Sequence, residues 1–189
     1  MKKILPKDEI EILVDVIEKL NMLEIEYMLT GSVAMNYYAE PRMTRDIDII
    51  IEIGSANKDE IFNTFHEQYY FTGAAFDEAI RCNSMFNIIH KKAVAKIDFI
   101  IRKKDQYSIQ ALKRKQSKKI NNHIINIISK EDLIISKIKW AQESKSELQK
   151  KDILNLLETG YEKEYIVNCL ENCDLLGFAK EFVGERYFS

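Results

Sequence analysis

From Asp46 to Ile53 the chain reads DIDIIIEI. Ile47, Ile49, Ile51 and Ile53 fall on one side of an extended backbone, and Asp46, Asp48 and Glu52 on the other. That period of two predicts a strand. Before it, apolar positions Ile10, Leu13, Val14, Val16, Ile17 and Leu20 recur at helical spacing and predict a helix over Asp8–Leu23. A short apolar run from Tyr27 to Thr30 reads as a strand ending at Gly31. Ser32 to Tyr38 reads as a short helix with Ser32 as N-cap, stopped by Pro41. After the Asp46 strand, Gly54-Ser55 marks a turn and Lys58–Glu67 a helix. Ser84–His90 and Ala95–Ile101, joined across Lys91-Lys92, predict an antiparallel hairpin. On its second strand Lys96, Asp98 and Ile100 share one face, and Ile97, Phe99 and Ile101 the other.

Arg102 to Lys119 predicts a basic helix, and His123–Ile128 a further strand. At Ser129 the pattern changes. Ser129-Lys130-Glu131-Asp132 opens like a capping box. Helical spacing then continues over roughly 131–142, 147–157 and 162–173, with a short last segment. The chain therefore reads as α+β: a mixed sheet flanked by helices over residues 1–128, followed by a helical region over 129–189.

A chain of 189 residues is one ordinary domain, or one with a small appendage, and 46% apolar residues supply a normal core. Two prolines and six glycines leave little room for linkers. No apolar run approaches the ~20 residues needed to cross a bilayer. MKKILPKDEI is charged but has no apolar core, so it is no secretory signal, and the expected location is the cytoplasm. Cys82, Cys169 and Cys173 are an odd set of thiols and read as reduced core residues rather than a zinc pair. Trp140 also reads as core. A net charge of −2 gives no sign of nucleic-acid binding, but 102–119 carries eight Lys/Arg against one Asp. That run is either a solvated helix face or a patch for phosphate-rich ligands.

Asp46 and Asp48, two residues apart on a strand, point the same way. Carboxylates set among isoleucines are costly unless their charge is offset, and two so close repel unless a cation lies between them. All-oxygen ligands favour Mg²⁺ or Mn²⁺. Asp98, in the apolar run KIDFII, is the candidate third carboxylate. Such a set suits phosphoryl or nucleotidyl transfer. A strand that ends in Gly31-Ser32 at a helix start offers backbone N–H groups and a hydroxyl to phosphates.

These residues resemble the signature of the polymerase-β-type nucleotidyltransferase superfamily: Gly31-Ser32 after a strand, Asp46-x-Asp48 on the next, and a later Asp98. The fuller run Pro41, Arg42, Thr44, Asp46, Ile47, Asp48 is similar to the small bacterial branch that includes AbiEii-like toxins. Where that branch often has Gly before the Pro-Arg pair, this chain has Glu40. In that branch the helical half carries a Lys and, later, a Lys-Asp element, matched here by Lys137 and by Lys151-Asp152.

The resemblance implies a nucleotidyltransferase fold and Mg²⁺-dependent (or Mn²⁺-dependent) transfer of NMP from an NTP to a hydroxyl. Asp46, Asp48 and Asp98 would be the catalytic and metal-binding set, and Gly31, Ser32, Arg42, Thr44 and Lys137 the nucleotide contacts. The acceptor would be RNA such as tRNA, or protein, in a toxin–antitoxin setting with an antitoxin partner. The rival acceptor is a small-molecule antibiotic, which calls for a compact acidic pocket such as Asp77 and Glu78 would line. A non-catalytic nucleotide- or partner-binding module of the same fold is the other rival.

Four of these residues have plainer readings. Arg42 pairs with Glu40 or a helix end. Lys137 lays its stem along the seam of Ile134, Ile138 and Ala141. Asp77 and Glu78 mark a helix N-terminus.

Overall fold

The computed structural model describes residues 5–44, 46–54, 58–93, 95–120 and 122–189. Ser55, half of the expected turn after the Asp46 strand, and the first four residues of the N-terminal segment lie outside that set.

Along the chain come α1 (Lys7–Met22), β1 (Tyr27–Thr30), α2 (Gly31–Tyr38), β2 (Asp46–Ile51), α3 (Lys58–His66), β3 (Tyr69–Tyr70), α4 (Gly73–Cys82), β4 (Met85–His90) and β5 (Lys96–Ile101). Then follow α5 (Gln106–Lys113), β6 (Gln116–Ile120), β7 (His123–Ile127), α6 (Lys130–Ser144), α7 (Glu147–Glu158), α8 (Lys163–Asn172) and α9 (Leu176–Val183). The strands form one sheet in the order β3-β4-β5-β2-β1-β7-β6. β2 runs parallel to β5 and β1 parallel to β7, and the other neighbours are antiparallel, so the sheet is mixed. The expected β4–β5 hairpin is present, with Phe86 opposite Phe99.

The alternation in β2 sets the layer. Ile47, Ile49 and Ile51 are fully buried, as are Ile97 and Phe99 beside them on β5. Phe99 meets Phe65 and Phe86 at centroid distances of 5.5 and 5.3 Å. Burying three isoleucines contributes about 5–9 kcal/mol as an upper bound. That exceeds the cost of holding Asp48 on the same strand, about 3 kcal/mol for a carboxyl raised from 3.8 to about 6. The strand therefore keeps its register despite the carboxylates.

α6 starts as the capping pattern predicts: the Asp132 amide donates to Ser129 Oγ at 3.1 Å, and that hydroxyl donates to Asp132 Oδ2 at 2.6 Å. α6 packs against α2 and α7, which brings the C-terminal helices onto the end of the sheet where β1 becomes α2.

Several expectations are corrected. α2 begins at Gly31 with Thr30 at its N-cap, so Ser32 lies inside the first turn and caps nothing. β2 ends at Ile51. The basic stretch is not one helix but α5 followed by β6, whose QSKKI run forms an edge strand. Neither β3 nor α4 was signalled by periodicity, and Asp77 and Glu78 sit in the middle of α4 rather than at its start. Trp140 is 57% exposed. Cys82 is exposed, and Cys169 and Cys173 are only half-buried. Among the described residues no helix is long and apolar enough to cross a membrane.

Candidate active site

Strand register assembles the centre. Thr30 pairs with Asp48 across the antiparallel β1–β2 ladder, and Asp48 pairs with Asp98 across the parallel β2–β5 ladder. Asp46 and Lys96 are paired in the same ladder. Gly31, next after Thr30, comes against Asp48. Its φ is +63°, and a Cβ added there would lie 1.9 Å from Asp48 Oδ2. Glycine is needed at this position both for its backbone angle and for space.

The three carboxylates differ. Asp46 is exposed, Asp48 half-buried and Asp98 buried. Burial, reinforced by the charges of Asp98 and Asp46, raises the Asp48 carboxyl to about 6, against the pull of Lys137 and Lys96. Asp98 Oδ2 accepts a 2.8 Å hydrogen bond from Lys96 Nζ, which is also 3.9 Å from Asp46 Oδ1. Asp98 Oδ1 is buried and has no hydrogen-bond partner among the described residues.

A second cluster lies beside it. Arg42 grips Asp152 with two hydrogen bonds, Nε to Oδ1 at 2.8 Å and an Nη to Oδ2 at 2.9 Å. The same Nη donates to Ser32 Oγ at 2.6 Å. Lys137, only 3% exposed, donates to Asp152 Oδ2 at 2.8 Å and Gln149 Oε1 at 3.2 Å. Burial alone would raise the Asp152 carboxyl, but the hydrogen bonds and charges of Arg42 and Lys137 outweigh it and hold it below the usual range. Burial pushes Lys137 down, opposed chiefly by Asp152. Asn36 fixes the Arg42 backbone, taking its N–H at 2.9 Å and donating to its carbonyl at 2.8 Å. Asn155 does the same for Glu40, at 3.2 and 2.9 Å.

The predicted residues Gly31, Ser32, Arg42, Asp46, Asp48, Asp98 and Lys137 thus fall into two adjoining groups, with the charges of Lys137 and Arg42 both acting across them on Asp48. Thr44 stands apart from the network; its hydroxyl makes a 3.4 Å contact to the Asp46 carbonyl. The plainer readings of Arg42 and Lys137 are both replaced. Arg42 pairs with Asp152 rather than Glu40, and Lys137 is buried in an ion pair rather than laid along the surface. Asp152, Gln149 and Lys96 had no assigned role from sequence. For Lys96 a signal existed, since it shares a strand face with Asp98. For Asp152 and Gln149 only the fold reveals the partners.

The basic stretch and the expected acidic lining make ion pairs of their own. Arg102 is paired with Glu52 by two hydrogen bonds and follows the C-terminal end of β5. At ~3.3 Å per residue that is about 13 Å along the strand from Asp98. Arg114 lies 3.3 Å from Asp132 and 3.8 Å over the Tyr165 ring, and Lys115 is 3.4 Å from Glu26. Asp77 pairs with Lys58, and Glu78 with Arg81, on the exposed side of α4. The expected acidic lining is therefore engaged in surface pairs.

Among the described residues no group of three His, Cys, Asp or Glu side chains closes on one point as a metal site. The donor set nevertheless suits a hard divalent cation: oxygen ligands only, mutual repulsion between the carboxylates, and one buried carboxylate oxygen with no partner among the described residues.

Comparison with known proteins agrees with this geometry. No curated protein sequence matches the chain. The chain is similar in structure to an antigenic nucleotidyltransferase-like protein from Paracoccidioides brasiliensis, with 16% identity, 94% of each chain covered and a TM-score of 0.57. It is also similar to the lincosamide antibiotic adenylyltransferase LnuA in its lincomycin-bound form, at 13% identity over 80% of this chain and 96% of that one, with a TM-score of 0.51. At such identities these likenesses establish the nucleotidyltransferase fold. The family model for aminoglycoside-2''-adenylyltransferase matches residues 12–150, a span that contains all three aspartates and Lys137. The chain therefore belongs to the aminoglycoside-2''-adenylyltransferase family and is a nucleotidyltransferase.

Proposed function

We propose that this enzyme transfers AMP from ATP to a hydroxyl of an amino-sugar antibiotic or a similar cationic small molecule, in the cytoplasm. The observation that carries the reading is the register that sets Asp48 between Gly31 and Asp98, inside the span matched by the family model. The charge balance supports a cationic acceptor. Of the cations near Asp46, Asp48 and Asp98, Lys96 pairs with Asp98 and Asp46, while Lys137 and Arg42 are held by Asp152; Arg102, Arg114 and Lys115 of the basic stretch are likewise held in ion pairs.

In this reading the acceptor hydroxyl oxygen attacks the α-phosphorus. The bond from that phosphorus to the bridging oxygen breaks, and pyrophosphate leaves. Asp98 takes the hydroxyl proton. The first turn of α2, with Gly31 and Ser32, binds the phosphates through backbone N–H groups and the Ser32 hydroxyl. Arg42 and Lys137, held by Asp152, orient the phosphate chain. Asp46 and Asp48, with Asp98, would hold Mg²⁺ or Mn²⁺, which supplies charge neutralisation of the phosphates when bound. Residues 1–128 carry the chemistry, and the helical region 129–189 closes one wall through Lys137 and Asp152.

The Pro41–Asp48 run supports a second reading: it resembles AbiEii-like toxins, for which the acceptor would be an RNA or protein hydroxyl, with an antitoxin partner. One assay separates them. The chain is incubated with each α-³²P NTP, Mg²⁺ and, in parallel, an aminoglycoside panel, lincomycin, tRNA or no acceptor, with Asp46→Ala/Asp48→Ala as the control. Label on an aminoglycoside from ATP, lost in the control, is the expected result. Label on tRNA or on the protein alone would replace it with the second reading.

A further inference from the structure

The carboxylates at the centre have a cation supplied by the chain itself. Lys96 precedes Asp98 by two residues on β5, so both side chains leave the same face of the sheet. Its ammonium is 2.8 Å from Asp98 Oδ2 and 3.9 Å from Asp46 Oδ1, bridging two aspartates on neighbouring strands. The two oxygens of Asp98 are therefore unlike: Oδ2 is taken by Lys96, and Oδ1 is buried with no hydrogen-bond partner among the described residues. The lysine side chain is 39% exposed, so its flexible stem has solvent to swing into.

We propose that Lys96 is a resident counter-cation that competes with the divalent metal ion for Asp98 and Asp46, so that the ion binds weakly alone and tightly together with the nucleotide. The inference rests on the metal-dependent reading above. An ammonium and a divalent ion that share carboxylates repel each other, and in a partly buried site that repulsion is much stronger than in water. A triphosphate reverses the balance. It adds negative charge at the same place and offers Lys96 another anion. Loading would then be coupled: nucleotide and ion arrive as one unit, and the empty site retains little free metal.

A purely positioning lysine predicts the opposite sign. If Lys96 only held Asp98 in place, its removal would loosen a ligand and weaken metal binding. The experiment is Mn²⁺ binding to the full chain without nucleotide, followed by the electron paramagnetic resonance of free Mn²⁺, for wild type, Lys96→Met, Lys96→Gln, Lys96→Arg and Asp98→Asn. Thermal unfolding of each variant verifies the fold, and the partial exposure of Lys96 means that its truncation opens no core cavity. Lys96→Met and Lys96→Gln should bind Mn²⁺ about tenfold or more tightly than wild type, and Lys96→Arg within about threefold of it. A non-hydrolysable ATP analogue should raise Mn²⁺ affinity more in wild type than in Lys96→Met. Unchanged or weaker binding in both neutral variants, with binding lost in Asp98→Asn, would overturn this inference alone. An Asp98→Asn chain that binds Mn²⁺ like wild type would overturn the metal reading beneath it as well.

Discussion

Replacing Gly31 with alanine tests the join between the phosphate turn and the carboxylates. The new Cβ would lie 1.9 Å from Asp48 Oδ2, 2.6 Å from its Cγ and 2.9 Å from its Cβ, at a φ of +63°. Two costs add. The left-handed backbone angle costs a residue with a Cβ about 1–2 kcal/mol. Forcing Asp48 aside in a packed strand costs about 1–3 kcal/mol more. The total, about 2–5 kcal/mol, lowers the melting temperature by ~2–4 °C per kcal/mol in a chain of this size. The two parts are separable by a double-mutant cycle with Asp48→Ala, followed by urea unfolding. Asp48→Ala removes Cγ and Oδ2, so the double variant should be about 1–2 kcal/mol more stable than the sum of the single changes predicts. The backbone cost should remain. Nucleotidyl transfer by Gly31→Ala should fall to the level of Asp48→Ala, because the carboxylate is displaced. Additivity to within about 0.5 kcal/mol, or a Gly31→Ala enzyme of ordinary activity, would refute the reasoning.

The remaining predictions concern charge. The Asp48 carboxyl is raised from 3.8 to about 6 in the fold, so between those values the folded state binds more protons than the unfolded one. Its contribution to stability therefore falls as pH rises through that window and is level above it. Asp48→Asn should be more stable than wild type at pH 8 by up to about 3 kcal/mol, with the difference gone near pH 3.5, as read by urea midpoints. Asp152→Ala leaves Lys137 buried without its carboxylate and should cost about 3–5 kcal/mol. Lys137→Met, which leaves Arg42 on Asp152, should cost less on the same denaturation curve. Ser32→Ala deprives the Arg42 guanidinium of an acceptor. It should cost about 0.5–1.5 kcal/mol and raise the KM for ATP more than it lowers kcat.

What could be read in advance follows a physical divide. β2 and β5 were legible because apolar residues at every second position, Ile47, Ile49 and Ile51 and Ile97, Phe99 and Ile101, with aspartate between them, set one register, and a slip by one residue would bury the wrong face. The Asp-x-Asp spacing and the later Asp98 were legible for the same reason. β6 was not, since QSKKI buries only Ile120 fully and its charges resemble a helix face. Ser32 was misread because helix caps are recognised by residue type, whereas the backbone here turns at Gly31 and gives the Ser32 hydroxyl to Arg42. Asp152 was visible only as the second half of a Lys-Asp match. Its importance comes from burial between two cations that sit 110 and 15 residues away along the chain, and no local pattern encodes that. Trp140 shows the limit of composition: a large aromatic side chain, expected inside, remains mostly in solvent.

The hold of α7 on the segment between α2 and β2 has a consequence for how the enzyme comes into being. Asn155 anchors Glu40 and Asp152 anchors Arg42 across sequence separations of 115 and 110. During synthesis the strands that carry Asp46, Asp48 and Asp98 leave the ribosome first, and the stretch from Asp98 to Asn155 takes roughly 3–11 s more at ~5–20 residues per second. Throughout that interval Arg42 lacks the Asp152 carboxylate that grips it in the folded chain. With Arg42 and Lys137 in the roles proposed above, a chain truncated before Asp152 is expected to transfer no nucleotide.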